Sequence, residues 1–291
     1  MRYIYDFSIA DLLIRVESPY PLSDLHELSP FLTESGTENP PDAHYTIAPL
    51  PKNWTIKGTK LADLPHSAVY QWKNELHHYY FWNIISEDRF VLTTSPIRDG
   101  NNHTIYLQAD TLERILPQFR LSAFLFPERL LLQNHGYLLH ASVVAYQGKG
   151  ILFTGPSGIG KSTQADLWVQ TEGAELINGD RAILRQYGPC WRAYGSPYAG
   201  TSGIYRNSSV ELQAIVVLSQ GPKNTLRRLA PGEAFTQLLS QTTAMPWSVQ
   251  YMAELSDLLL ETIATFPVYH LSCLPTVDAV SLLKQELMEL V

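Results

Sequence analysis

Apolar and polar positions alternate in short runs through the first third of the chain. Tyr3–Ile9, Leu12–Val16, Tyr45–Ile47, Tyr79–Ile85, Phe90–Thr94 and Thr104–Leu107 are rich in β-branched and aromatic residues. That pattern predicts strands. Turn-forming stretches such as Ser35–Asp42 and Arg98–Asn102 separate them. Asp110 or Thr111 is suited to cap a helix beginning near Leu112, with Glu113 in its first turn. Apolar residues continue through Phe124 to Leu132, and Pro117 and Pro127 must break or kink that stretch. The reading therefore divides the chain into a β-rich N-terminal domain, residues 1–110, and a second domain, residues 111–291.

The second domain changes rhythm. Strands are predicted at Tyr137–Tyr146, Gly150–Thr154, Glu175–Ile177, Ala182–Arg185 and Ala214–Leu218. Helices are predicted at Lys161–Gln170, Pro231–Ser240, Val249–Thr265 and Val277–Leu290. Strands crossed by helices predict an α/β (α+β) domain built on a mixed sheet.

Composition narrows the classes. The chain has 291 residues, 45% hydrophobic and 17% charged, which suits a packed core and not a disordered chain. A net charge of -7 counts against a broad nucleic-acid-binding surface. The two cysteines, Cys190 and Cys273, imply no disulfide framework. Met1–Ile14 carries Asp6 and Asp11 inside its apolar stretch, unlike a signal peptide. No apolar run approaches the roughly 20 residues that span a bilayer. A reduced cytoplasmic protein without membrane or nucleic-acid partners is the expectation. Both a monomer and a homo-oligomer stay open.

One motif carries chemistry. Gly155, Pro156, Ser157, Gly158, Ile159, Gly160, Lys161, Ser162 and Thr163 match G-x-x-x-x-G-K-[ST]. An apolar strand, Ile151–Thr154, leads in and an amphipathic helix is expected to lead out. In such a loop the backbone amides turn inward on phosphate oxygens, helped by the helix N-terminus. Lys161 would reach the β- and γ-phosphates of ATP, and Ser162 would hold Mg²⁺.

The flanks add candidates. His140 lies fifteen residues before Gly155, and Asp180 nineteen after Lys161. An acidic residue at a strand end beside a phosphate loop can hold Mg²⁺ or take a proton from a hydroxyl. Tyr194–Arg206 is dense in Gly, Ser and Thr and predicts a loop that approaches a ligand closely. Arg206 and Arg181 are candidates to neutralise phosphate charge. Arg227 and Arg228 read as a solvated edge, and His77–Trp82 as an aromatic strand without metal-ligand spacing.

His140, the loop and Asp180 together resemble the HPr kinase/phosphorylase family and its relatives, over about residues 135–220. The resemblance implies a nucleotide site on a fold shared with phosphoenolpyruvate carboxykinases. It implies His140 and Asp180 near a transferred phosphate. Residues 194–206 look like a Gly/Ser loop of HPr-kinase-related proteins encoded near peptide-maturation genes, such as those for lasso peptides. Two positions depart from the family pattern. Gly179 stands where the first of an Asp pair would be, and Thr163 replaces a Glu. The family's segment for phosphorolysis has no match, so reversal with pyrophosphate is not implied.

These observations point first to an ATP- and Mg²⁺-dependent kinase. Asp180, His140, Lys161 and Arg206 would be its catalytic residues, with Ser162 and Asp180 on the metal. The resemblance points to a serine of a small protein or ribosomally made peptide as acceptor. A sugar or polyol kinase and a non-catalytic ATP-binding sensor are the alternatives. An ATPase or GTPase ranks below them.

Overall fold

A computed structural model of the chain describes residues 2–22, 25–34, 39–64, 67–82, 89–96, 101–107, 121–125 and 127–289. It has two compact units, Met1–Phe126 and Pro127–Val291. The helix expected from Leu112 falls outside the described residues, as do parts of both turns expected at Ser35–Asp42 and Arg98–Asn102.

The first unit holds one eight-stranded sheet. Its strands are β1 (Tyr3–Ile9), β2 (Leu12–Ser18), β3 (Ala43–Pro49), β4 (Thr59–Leu64), β5 (Ser67–Trp72), β6 (Glu75–Trp82), β7 (Arg89–Pro96) and β8 (Asn102–Leu107). Their order is β1-β2-β3-β8-β7-β6-β5-β4. The β2–β3 and β3–β8 pairs are parallel and the others antiparallel. Alternation decides the buried face: Leu12, Ile14 and Val16 of β2 are buried and their neighbours less so. Asp6 is fully buried and is satisfied by Arg15, which donates from Nε at 2.8 Å and Nη2 at 2.9 Å. β4 and β5 escape the sequence reading. β4 lacks an alternating apolar face, and most of its residues are exposed.

The second unit holds a mixed sheet with helices on both faces. Its strands are β9 (Gly136–Tyr146), β10 (Lys149–Thr154), β11 (Glu175–Asn178), β12 (Arg181–Tyr187), β13 (Cys190–Tyr194), β14 (Ser209–Gln220), β15 (Thr225–Arg228) and β16 (Val268–Cys273). The helices are α1 (Pro127–Gln133), α2 (Lys161–Glu172), α3 (Pro231–Gln241), α4 (Val249–Thr265) and α5 (Val277–Met288). Pro127, expected as a breaker, is the first residue of α1, where a missing N–H costs nothing.

Two long strands organise this sheet by changing partners along their length. β9 pairs with β12 through Gly136–His140, then with β10 through Ala141–Tyr146. β14 pairs with β13 at its start, with β10 in its middle and with β16 at its end. β10 is thus flanked by β9 and β14 and is central. Leu152, Ile215 and Val217 face a core with Ala234 and Leu238 of α3 and Leu255 and Leu259 of α4. Ile151, Phe153, Val216 and Leu218 face the other core, with Trp168 of α2 and Leu283 of α5. Burial on both faces explains why β10 and β14 read as continuous apolar runs.

α2 corrects one expectation. An amphipathic helix was predicted after the loop, but its buried residues are Lys161, Gln164, Ala165 and Trp168, while Val169 is exposed. Trp168, fully buried, supplies most of the apolar contact. No helix among the described residues is long and apolar enough to cross a membrane.

Candidate nucleotide site

β10 ends at Thr154 and the chain turns through Gly155–Gly160 into α2. Gly155 adopts φ 144°, and a Cβ there would lie 3.2 Å from Ile159 Cγ2 and 3.3 Å from the Leu218 carbonyl oxygen. Only glycine fits. Gly160, at φ 115°, is the N-cap of α2 and offers no side chain to its first-turn amides. A Cβ at Gly158 or Gly160 would meet nothing within 4 Å, so the space beside both glycines is open. Uncapped amides at the head of a helix suit a phosphate group.

Lys161 is 7% exposed. Its ammonium donates to the carbonyls of Gly155 at 3.0 Å and Pro156 at 3.2 Å, folding back over the loop. Burial holds its pKa below the ordinary lysine value, and the Asp180 charge opposes that. Ser162 and Thr163 are exposed in the first turn of α2, as are Pro156, Ser157 and Gly158 in the loop; Ile159 and Gly160 are half-buried.

Register brings the flanking candidates to the same place. Arg181 on β12 is opposite His140 on β9, so Asp180 meets the histidine at the head of β12. His140 Nε2 lies 3.3 Å from Asp180 Oδ1. On the other side, Thr154 Oγ1 donates to the His140 carbonyl at 2.9 Å, tying β9 to the entry of the loop. Three adjacent strands therefore carry the loop, the histidine and the aspartate. The Asp180 carboxyl is held below its usual range, mainly by the hydrogen bond from His140; burial opposes this, and the charges of His140, Arg181 and Lys161 add to it. Arg181 Nε stands 3.8 Å from Asp180 Oδ2.

Arg206 is not among them. Its guanidinium is paired with Glu175 at the start of β11, and both are about half exposed. Among the described residues no group of three or more His, Cys, Asp or Glu side chains forms a metal cluster. A Mg²⁺ here would draw on Ser162, Asp180, phosphate oxygens and water, a set that suits this ion.

The structure adds residues that the sequence reading passed over. Asn178 is fully buried, and its Oδ1 accepts from the Asp180 amide at 2.9 Å and the Arg181 amide at 2.8 Å. Its Nδ2 donates to the Ser196 carbonyl at 3.1 Å and the Tyr198 carbonyl at 3.4 Å. One side chain thus fixes the Asp180 turn to the Gly/Ser loop. Asn two residues before Asp is the local signal for such a turn.

Gly179 and Gly200 interlock with that loop. A Cβ at Gly179 would lie 2.2 Å from Ser202 Oγ, and one at Gly200 would lie 2.6 Å from the Asp180 carboxyl carbon. The space that a side chain at position 179 would take is filled by Ser202. Glu128, on α1, is pushed up to about 7 by burial, against the charge of Arg181. Only the fold puts it near Asp180's neighbour.

Sheet, loop and first-turn amides define the class: an α/β protein with a strand, glycine loop and helix of phosphate-binding type. The chain belongs to the family of the SynChlorMet cassette protein ScmC, whose family model matches residues 120–273. Among solved structures, the HPr(Ser) kinase/phosphatase from Coxiella burnetii is 15% identical, with 51% of this chain and 98% of that chain covered and a TM-score of 0.29. A score that low carries no argument about fold or chemistry. No curated protein matches the chain.

Proposed function

We propose that this protein is an ATP- and Mg²⁺-dependent kinase acting on a hydroxyl of a small protein or ribosomally made peptide. The observation that carries the reading is the meeting of three elements. These are an open glycine loop with uncapped helix amides, a buried lysine folded over it, and an ionised aspartate hydrogen-bonded to a histidine on the adjacent strand.

The chain's groups divide the work as follows. Loop amides and Lys161 bind and orient the phosphates. The Ser162 hydroxyl and the Asp180 carboxylate would hold Mg²⁺. A carboxylate held below its usual range is a good cation ligand and a weak proton acceptor, which favours the metal role for Asp180. His140 holds the orientation of Asp180 through its Nε2. ATP would supply the phosphoryl group, and a bound Mg²⁺ would supply charge neutralisation. Catalysis of this kind is mostly positioning and charge stabilisation. Arg206 joins only by leaving Glu175. The HPr-kinase resemblance of residues 135–220 supports a serine acceptor, with a sugar or polyol as the alternative.

A second reading has one observation in its favour. A Cβ at Gly200 would lie 2.6 Å from the Asp180 carboxyl carbon, so the loop backbone runs close to that side chain, and nucleotide at the loop would act by moving residues 195–206 without transfer. ADP release in the presence of candidate acceptors separates the two.

Titration calorimetry with Mg·ATP tests the shared premise. Heat of binding is expected from the native chain and its loss from Lys161→Ala. Binding that survives Lys161→Ala unchanged would refute the loop assignment.

A further inference from the structure

The first unit ends its sheet on β4, whose outer edge has no strand partner among the described residues. An edge that presents free N–H and C=O groups is a template for another strand. Native edges are usually blunted by charge, and this one is charged with a single sign in excess. Residues 51–74 contain Lys52, Lys57, Lys60 and Lys73 against Asp63, a local charge of +3 in a chain of -7. Asp63 is itself taken up by Lys60, at 3.0 Å.

The lysines are arranged on aromatic rings. Lys57 Nζ lies 5.2 Å from the Trp54 ring, Lys60 Nζ 5.7 Å from Tyr70, and Lys73 Nζ 5.9 Å from Trp72. Among the described residues neither Lys57 nor Lys73 meets a carboxylate. Beside them, Gly58, Thr59, Leu61, Gln71, Trp72 and Lys73 line an open cavity of about 590 Å³. Ile56, Leu64 and Trp72 stay exposed along the same stretch. Gly58 makes this possible: a Cβ there would lie 2.2 Å from the Gln71 carbonyl oxygen.

We propose that the β4 edge is a strand-addition site for an extended peptide segment carrying Asp or Glu at alternate positions. Main-chain pairing with β4 would supply a sequence-independent part of the affinity. Lys57 and Lys73 would select acidic side chains, and the cavity by Trp72 would accept an apolar one between them. A second copy of this chain is the poorer occupant, since edge-to-edge pairing sets +3 against +3. The inference extends the polypeptide-acceptor reading but needs no nucleotide chemistry, so it stands or falls separately.

Fluorescence anisotropy of labelled peptides on the full chain, without nucleotide, is the test. The probe is a short peptide alternating Val and Glu. Its controls carry Lys for Glu, or N-methyl groups on alternate residues so that one edge cannot pair. Binding is expected for the Glu peptide alone, weaker as salt rises. Lys57→Glu with Lys73→Glu should weaken it about tenfold, with the circular dichroism spectrum and melting temperature unchanged. The proposal is overturned by absence of binding, by equal binding of the N-methylated peptide, or by binding indifferent to both lysines. Concentration-dependent dimerisation abolished by Leu61→Pro would also overturn it, in favour of self-pairing.

Discussion

Asp180 is worth more attention than its place in a turn would give it. It is ionised, partly buried and held from two directions, by His140 through the side chain and by Asn178 through the backbone. Asp180→Asn keeps the shape and the backbone bonds but removes the charge. ATP turnover is expected to fall by about 10²–10³-fold; calorimetry should show weaker binding of Mg·ATP, through the lost metal ligand, and little change in the binding of metal-free ATP to the loop. A turnover loss below tenfold would make Asp180 structural. Lys161 works in the opposite way. Buried over loop carbonyls, it is already desolvated before a phosphate arrives, which strengthens the later contact.

At the level of elements, the loop of residues 195–206 is held through backbone carbonyls, reached by main-chain amides and by side chains alike. The Gly195 amide donates to the Ser208 carbonyl at 2.9 Å, and Ser196 Oγ donates to the Arg181 carbonyl at 2.5 Å. Gly200 sits at φ 54°, and a Cβ there would lie 2.6 Å from the Asp180 carboxyl carbon. Gly200→Ala therefore adds both left-handed strain and a clash. It should cost about 1–3 kcal/mol by chemical denaturation and lower turnover by displacing the carboxylate. If turnover is kept at full stability, the loop does not hold Asp180. β9 matters for the same reason. By pairing first with β12 and then with β10 it sets the spacing between aspartate, histidine and loop.

Over the whole molecule, a partly buried histidine in the first unit ties stability to pH. Burial in the first unit pushes His78 down to about 4 from 6.5. Between those values the unfolded chain takes up a proton that the folded chain refuses. Stability therefore rises with pH across that window. The contribution is fully present above 6.5 and is lost as pH falls toward 4. At most about 3 kcal/mol is involved, less for the partial exposure of the ring. Urea unfolding of the native chain and of His78→Gln at neutral and acid pH should converge under neutral conditions and diverge under acid ones. Parallel curves would remove His78 as the cause. The loop was legible in the chain because its chemistry is local: glycines at fixed offsets, a lysine, a serine, an apolar run before them. The helices at Val249–Thr265 and Pro231–Gln241 were legible because burial on one face writes a period into the sequence. β4 was not, because an exposed edge has no face to write. The partner of Arg206 was not legible for a related reason, since sequence gives a charge but not what it pairs with, and Glu175 lies 31 positions away. The sequence by itself determined the apolar strand, glycine loop and helix start of the candidate phosphate site. Only tertiary structure decided that Asn178, Ser202 and Gly200 close around the Gly179–Asp180 turn. Those contacts join strands and loops whose meeting depends on β9 and β14 exchanging partners, a property of the sheet and not of any segment.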